Sequence, residues 1–247
     1  YGYSALPLIT STITVEGNGS TITRRGSEEM RFFTAVSYEE KVADLTLDKL
    51  TLTNGKNSYY NGGAVYVSDS TLTINYCTLS GNESGLTGGG IFATYSDVTI
   101  TKSNINDNKS YGGGAGVYAR YNAMTIIDST LSGNEAPDGD GGGVYVVGAT
   151  VTINNAFIGG NEALIGGGLM AYGSQLSIVN SLISGNGGSE DNLGGGVYLV
   201  DTAGTLNGVS IAGNSAFRGG GMFIFSGSAT IEKSTLSGNE ATVAGGI

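Results

Sequence analysis

Twenty-one carboxylates and no histidine decide which chemistry this chain could carry. Acid–base cleavage of a polysaccharide needs two carboxyl groups held about 5–10 Å apart, and calcium needs several oxygens gathered in a flexible loop. Asp44, Asp48, Asp69, Asp97, Asp107, Asp128 and Asp201 stand singly along the chain and supply neither. In the two longest loops between repeats, Asp138 stands with Asp140 and Glu190 with Asp191. Both sit between repeated elements, where solvated loop tips are the expectation and calcium the weaker alternative. The calcium-binding pattern Gly-Gly-x-Gly-x-Asp is missing, because Gly113-Gly114-Ala115-Gly116-Val117 runs into Tyr118. Without histidine the commonest general base and metal ligand are lost together, and the single Cys77 has no internal disulfide partner. We therefore assign no catalytic residue, metal ligand or cofactor from the sequence.

The elements that carry these residues are legible in the composition. Of 247 residues 44 are glycine and 2 proline, while only 13% are charged. Such a chain folds through turns and strands, and the absence of a Gly-X-Y period excludes collagen. The net charge of −10 and the lack of a basic stripe exclude nucleic acid as a partner. No apolar run approaches the length of a membrane span.

Internal repetition sets the fold. Triple glycines begin at Gly88, Gly112, Gly141, Gly166, Gly194 and Gly219, and a Leu/Ile-x-x-Asn mark ends at Asn82, Asn108, Asn134, Asn161, Asn186, Asn214 and Asn239. Those asparagines lie 26, 26, 27, 25, 28 and 25 residues apart. Each period holds an aliphatic-aromatic-aliphatic strand such as Val144-Tyr145-Val146 and an aliphatic-Thr-aliphatic strand such as Val151-Thr152-Ile153. A short third segment such as Thr78-Leu79 follows. Strands this short, separated by Gly and Asn, stack coil upon coil in parallel at about 4.8 Å. The expectation is an all-β parallel β-helix (β-solenoid) of about nine coils of roughly 26 residues. It forms one continuous domain, with irregular N-terminal coils over 1–60 and regular repeats over 61–247.

Gly142-Gly143-Val144-Tyr145 together with Leu131-Ser132-Gly133-Asn134 resembles the repeats of polymorphic outer-membrane proteins, and equally the wider family of secreted bacterial right-handed β-helix proteins. The resemblance covers roughly residues 43–247. It implies a right-handed helix, an extracellular or cell-surface location, and adhesion or surface display. The membrane β-barrel that accompanies such repeats in that family has no counterpart in the matching region.

Stacking turns repeated residues into columns. The seven asparagines are expected to form a structural ladder of side-chain amides, hydrogen-bonded along the stack. Asn18, Asn82 and Asn108 also begin glycosylation sequons, and Asn18 is the best acceptor if the ladder points inward. Tyr66, Phe92, Tyr118, Tyr145, Met170, Tyr198 and Phe223 alternate with inward aliphatics and so form an outward stripe. The stripe serves either coil-to-coil packing or, as an exposed apolar patch, a binding interface. Thr73, Thr99, Thr125 and Thr152 make an outward row suited to a pleated surface.

The ends complete the reading. Gly245-Gly246-Ile247 followed by Tyr1-Gly2-Tyr3-Ser4 parallels Gly89-Gly90-Ile91-Phe92-Ala93-Thr94-Tyr95-Ser96. This suggests either a segment of a longer repetitive chain or copies meeting head to tail, with Tyr1, Leu6, Leu8, Ile9, Gly245, Gly246 and Ile247 at the joint. The functional expectation is an extracellular structural or adhesive rod that self-associates head to tail. A carbohydrate-binding or polysaccharide-degrading β-helix, with surface glycans as partners, is the alternative.

Overall fold

The structure is a computed structural model that describes residues 4–38, 42–188 and 193–243. Strand after strand pairs in parallel with its counterpart one coil away, as in Val98↔Met124 and Tyr118↔Tyr145. On the first face eight strands stack from Phe33–Val36 to Met222–Ile224. The second and third faces run from the long bent strands Ile13–Thr23 and Asp44–Thr53 up to Gly227–Glu232 and Thr235–Ser237. The fourth side carries shorter strands, such as Lys109–Ser110 and Glu162–Ile165. This is the expected parallel solenoid, and the N-terminal strands enter the same sheets as the regular repeats.

Alternation of side chains fills the interior. Val65, Val67, Leu72, Ile74 and Leu79 lie fully buried within one coil, and their equivalents continue in one cluster along the rod. With ~25 cal/mol gained per Å² of apolar surface removed from water, this aliphatic column is the main stabilising element.

Four corners per coil turn the chain, and each places a residue in the left-handed region. Glycine serves at the corner opening the first face: Gly141 has φ +62°, and a Cβ there would stand 2.5 Å from the Val144 carbonyl oxygen. At the corner closing the first face the residue is Asp69, Tyr95, Tyr121 or Asp201, with φ of 48–55°. At the next corner it is Lys49, Tyr76, Lys102 or Asp128, with φ of 48–51°. Bulky residues rarely adopt this conformation. The stacked sheets on either side impose it, so glycine was only part of the turn signal.

Candidate functional site

The asparagines form one internal column. Asn108 donates from Nδ2 to Asn134 Oδ1 (3.0 Å) and from its backbone N–H to the same oxygen (3.1 Å). The other Nδ2 hydrogen reaches the Leu79 carbonyl (3.0 Å). The pattern repeats through Asn161, Asn186 and Asn214 to Asn239. Asn82 and Asn108 are fully buried, so neither sequon is accessible in the folded chain, whereas Asn18 is exposed at the bend within strand Ile13–Thr23.

Two further polar columns line the corners, and neither follows from the asparagine spacing. At one, Ser103 Oγ donates to the Thr101 carbonyl (2.8 Å) and accepts the Cys77 N–H (3.0 Å), while the Ser103 N–H donates to Ser129 Oγ (3.1 Å). At the other, Ser96 Oγ donates to the Thr94 carbonyl (2.8 Å) and accepts the Ser70 N–H (3.0 Å). The sequence signal is a small residue directly after many of the left-handed residues at these two corners: Tyr95-Ser96, Lys102-Ser103, Asp128-Ser129, Asn180-Ser181. Cys77 occupies a serine position. Its buried Sγ donates to the Asn75 carbonyl (3.2 Å), and burial pushes the thiol pKa up, which disfavours the reactive thiolate.

The aromatic stripe is not the exposed patch that alternation suggested. Phe92 is 3% exposed, Met170 and Tyr198 each 6%, and Tyr66, Tyr118, Tyr145 and Phe223 are half-buried. The rings stack on one another, Tyr66 on Phe92 at 5.0 Å, Phe92 on Tyr118 at 5.3 Å and Tyr198 on Phe223 at 5.5 Å between centroids. They also lie against the glycine corner of their own coil, where the Tyr145 Cβ sits 2.7 Å from the place a Gly141 Cβ would occupy. Outward direction from a strand therefore does not mean solvent. A turn without side chains lets the ring fold back over the backbone.

Asp140 is likewise no solvated loop tip. Glu135–Asp140 is a strand paired with Glu162–Ile165, and the additional residues are absorbed as a register shift between Ala136 and Asp140. Asp138 is exposed, but Asp140 is half-buried and burial raises its pKa. Burial pushes the Tyr145 phenol up to about 12, with the Asp140 charge adding to the effect. Tyr198 is raised by burial and then by Asp140. Among the described residues, burial is what raises Asp140. Glu190 and Asp191 lie outside the described residues, and among those described no three Cys, Asp or Glu side chains converge as a metal site.

What the rod does expose is at its corners. Tyr95 (58% exposed) and Tyr121 (50%) stack at 5.1 Å between centroids. One corner further on, Tyr76 lies between Lys49 and Lys102, whose Nζ atoms stand 6.0 and 5.3 Å from its ring centre. Lys102 Nζ donates to Tyr76 Oη (3.2 Å), which raises the lysine pKa. Between the two corners the outward rank Thr14, Thr46, Thr73, Thr99, Thr125, Thr152, Ser177, Thr205 and Thr230 runs in unbroken register. This hydroxyl face, edged by tyrosine and lysine over a few neighbouring coils, can offer ring stacking and hydrogen bonds together.

No curated protein and no solved structure matches the chain. The sequence pattern described as a right handed beta helix region matches residues 8–159 and again residues 89–247. Two overlapping matches across a stack of parallel coils have one reading: this chain belongs to the right-handed β-helix family.

Proposed function

We propose that the chain is a structural rod of the cell exterior whose hydroxyl face serves in adhesion. The unbroken threonine rank beside the corner tyrosines carries this reading, because it presents one repeated surface over the length of the solenoid. The likeness of the repeats to those of polymorphic outer-membrane proteins supports the location. Antibody labelling of intact source cells, beside lysed ones, tests it. Signal only after lysis overturns the exterior assignment.

Head-to-tail assembly belongs to the same proposal. Leu6 and Leu8 are exposed beside the first coil, Ile9 bridges Ala35, and Ile231 and Leu236 of the last described coil are only half-buried. Tyr1, Gly245, Gly246 and Ile247 lie outside the described residues. Electron micrographs of the purified chain should show fibres of uniform width. Single short rods at all concentrations would remove assembly from the proposal.

The second reading, glycan binding, is favoured by the Tyr95–Tyr121 stack and the Lys–Tyr76–Lys corner. Immobilised acidic and neutral glycans should retain the parent chain and release Tyr95→Ala/Tyr121→Ala. Equal retention of both would sink it. Glycan turnover lost in Asp138→Asn or Asp140→Asn would instead make the chain an enzyme.

A further inference from the structure

The first coil contains a buried charge that has no hydrogen-bond partner among the described residues. Arg31 is 0% exposed, and none of its three guanidinium nitrogens has a hydrogen-bond partner. Asn57, also fully buried, has neither Nδ2 nor Oδ1 paired, and buried Thr34 Oγ1 and Ser4 Oγ are unpaired as well. A buried ion costs several kcal/mol unless it is matched by charge and hydrogen bonds. Arginine does not escape by losing its proton: burial lowers its pKa only to about 10.

Register places these groups together. Arg31 lies two residues before Phe33, which pairs with Val65, and through Ile91 and Val117 it takes the position that Ala115 holds further along the rod. Asn57 pairs with Ser84, then Ser110, and so takes the position of Ala136. Ala115 and Ala136 pack on each other in a small cluster apart from the main core. In the first coil the same space is therefore lined by a guanidinium and an amide instead of two methyl groups. Thr34 pairs with Tyr66, over whose ring the Arg31 guanidinium stands at 4.9 Å, and Ser4 bridges Arg31 directly.

The tyrosine ring covers the face of the guanidinium, but its N–H donors point outward in the plane and need acceptors there. The unpaired polar atoms that register brings to this coil, Asn57 Oδ1 and two hydroxyls, are all neutral. Glu29 is turned elsewhere: its Oε2 accepts the Ser58 N–H at 2.9 Å, and the cations that act on it are Lys56 and Arg24. We propose that this space binds a small inorganic anion of halide size, held by the Arg31 guanidinium with the Asn57 amide and the Thr34 and Ser4 hydroxyls. Complete burial under the segment of Ser4 and Ile9, which bridge Arg31 and Ala35, excludes larger ligands. The bound anion would fasten that segment to the first coil.

Bromide is the probe. Crystals of the full chain grown in sodium bromide should give an anomalous peak within hydrogen-bonding distance of the Arg31 guanidinium. In solution the unfolding midpoint should rise with bromide when gluconate keeps the ionic strength constant, and this rise should vanish in Arg31→Met. Bromide at surface positions only, or Arg31 paired with a carboxylate of the chain, overturns the proposal, as does an equal midpoint rise in Arg31→Met. Should Arg31→Met not fold, the anomalous map of the parent decides alone.

Discussion

Asn134 gives two hydrogen bonds to a single atom of Asn161, from Nδ2 at 2.9 Å and from its backbone N–H at 3.0 Å, both to Oδ1. Each coil is thereby tied to the next by an acceptor that only an amide or acid of that length supplies. Asn161→Leu leaves both donors without their acceptor in a dry interior and removes the bond that Asn161 Nδ2 gives to the Leu131 carbonyl at 3.0 Å. We expect a loss of at least about 1–3 kcal/mol in urea unfolding. An unchanged midpoint would show that the column contributes nothing to stability.

Phe92 tests the correction to the aromatic stripe. Buried between Tyr66 and Tyr118, it behaves as core although it leaves the strand on the outer side. Phe92→Ala should cost about 3–5 kcal/mol in thermal or urea unfolding. A mere change in self-association with unaltered stability would restore the stripe as an interface.

Asp140 makes stability depend on pH in the direction opposite to most carboxylates. Burial raises its folded pKa above the ordinary 3.8, so the folded chain binds the proton more tightly than the unfolded chain. Its destabilising effect is absent below the unfolded pKa, grows as pH rises toward the folded pKa, and is constant above it. Asp140→Asn should therefore raise the melting temperature at neutral pH and lose that advantage in acid. A difference between the two chains that does not vary with pH contradicts this.

On the short fourth side Lys56, Glu83, Lys109 and Glu135 alternate in sign in direct register, with Lys56–Glu83 at 2.9 Å and Lys109–Glu135 at 3.2 Å. Glu162 breaks the alternation by pairing with Glu135. Glu162→Lys should stabilise by about 0.2–1 kcal/mol in low salt. Because the site is exposed, the gain should shrink in concentrated salt, and a gain indifferent to salt would point to another cause.

Gly204 occupies an inward strand position where Leu176 and Ala229 are its neighbours above and below. A Cβ there meets only the flexible Leu199 Cδ1 closely, at 3.2 Å. Gly204→Ala should raise stability by about 0.4–1 kcal/mol, chiefly by restricting the unfolded chain. A lower melting temperature would mean that Leu199 cannot move aside.

The sequence by itself determined the coil. Its period, the inward aliphatics and the position of each asparagine are local repeats, and once strands stack in parallel the pairing of equivalent residues follows without further information. It also carried the serine columns, as a small residue after many of the corners, although the corners themselves were hidden wherever Tyr, Lys or Asp replaced glycine. Only the tertiary structure decided what lies over an outward side chain. Phe92 and Asp140 are covered because the glycine turns leave the backbone bare and because Glu135–Asp140 joins a strand, and both depend on neighbouring coils rather than on local spacing. The same holds for Arg31. Nothing near it in sequence announces burial, since the space it enters is shaped by stacked coils, and farther along the rod Ala115 and Ala136 line the same place.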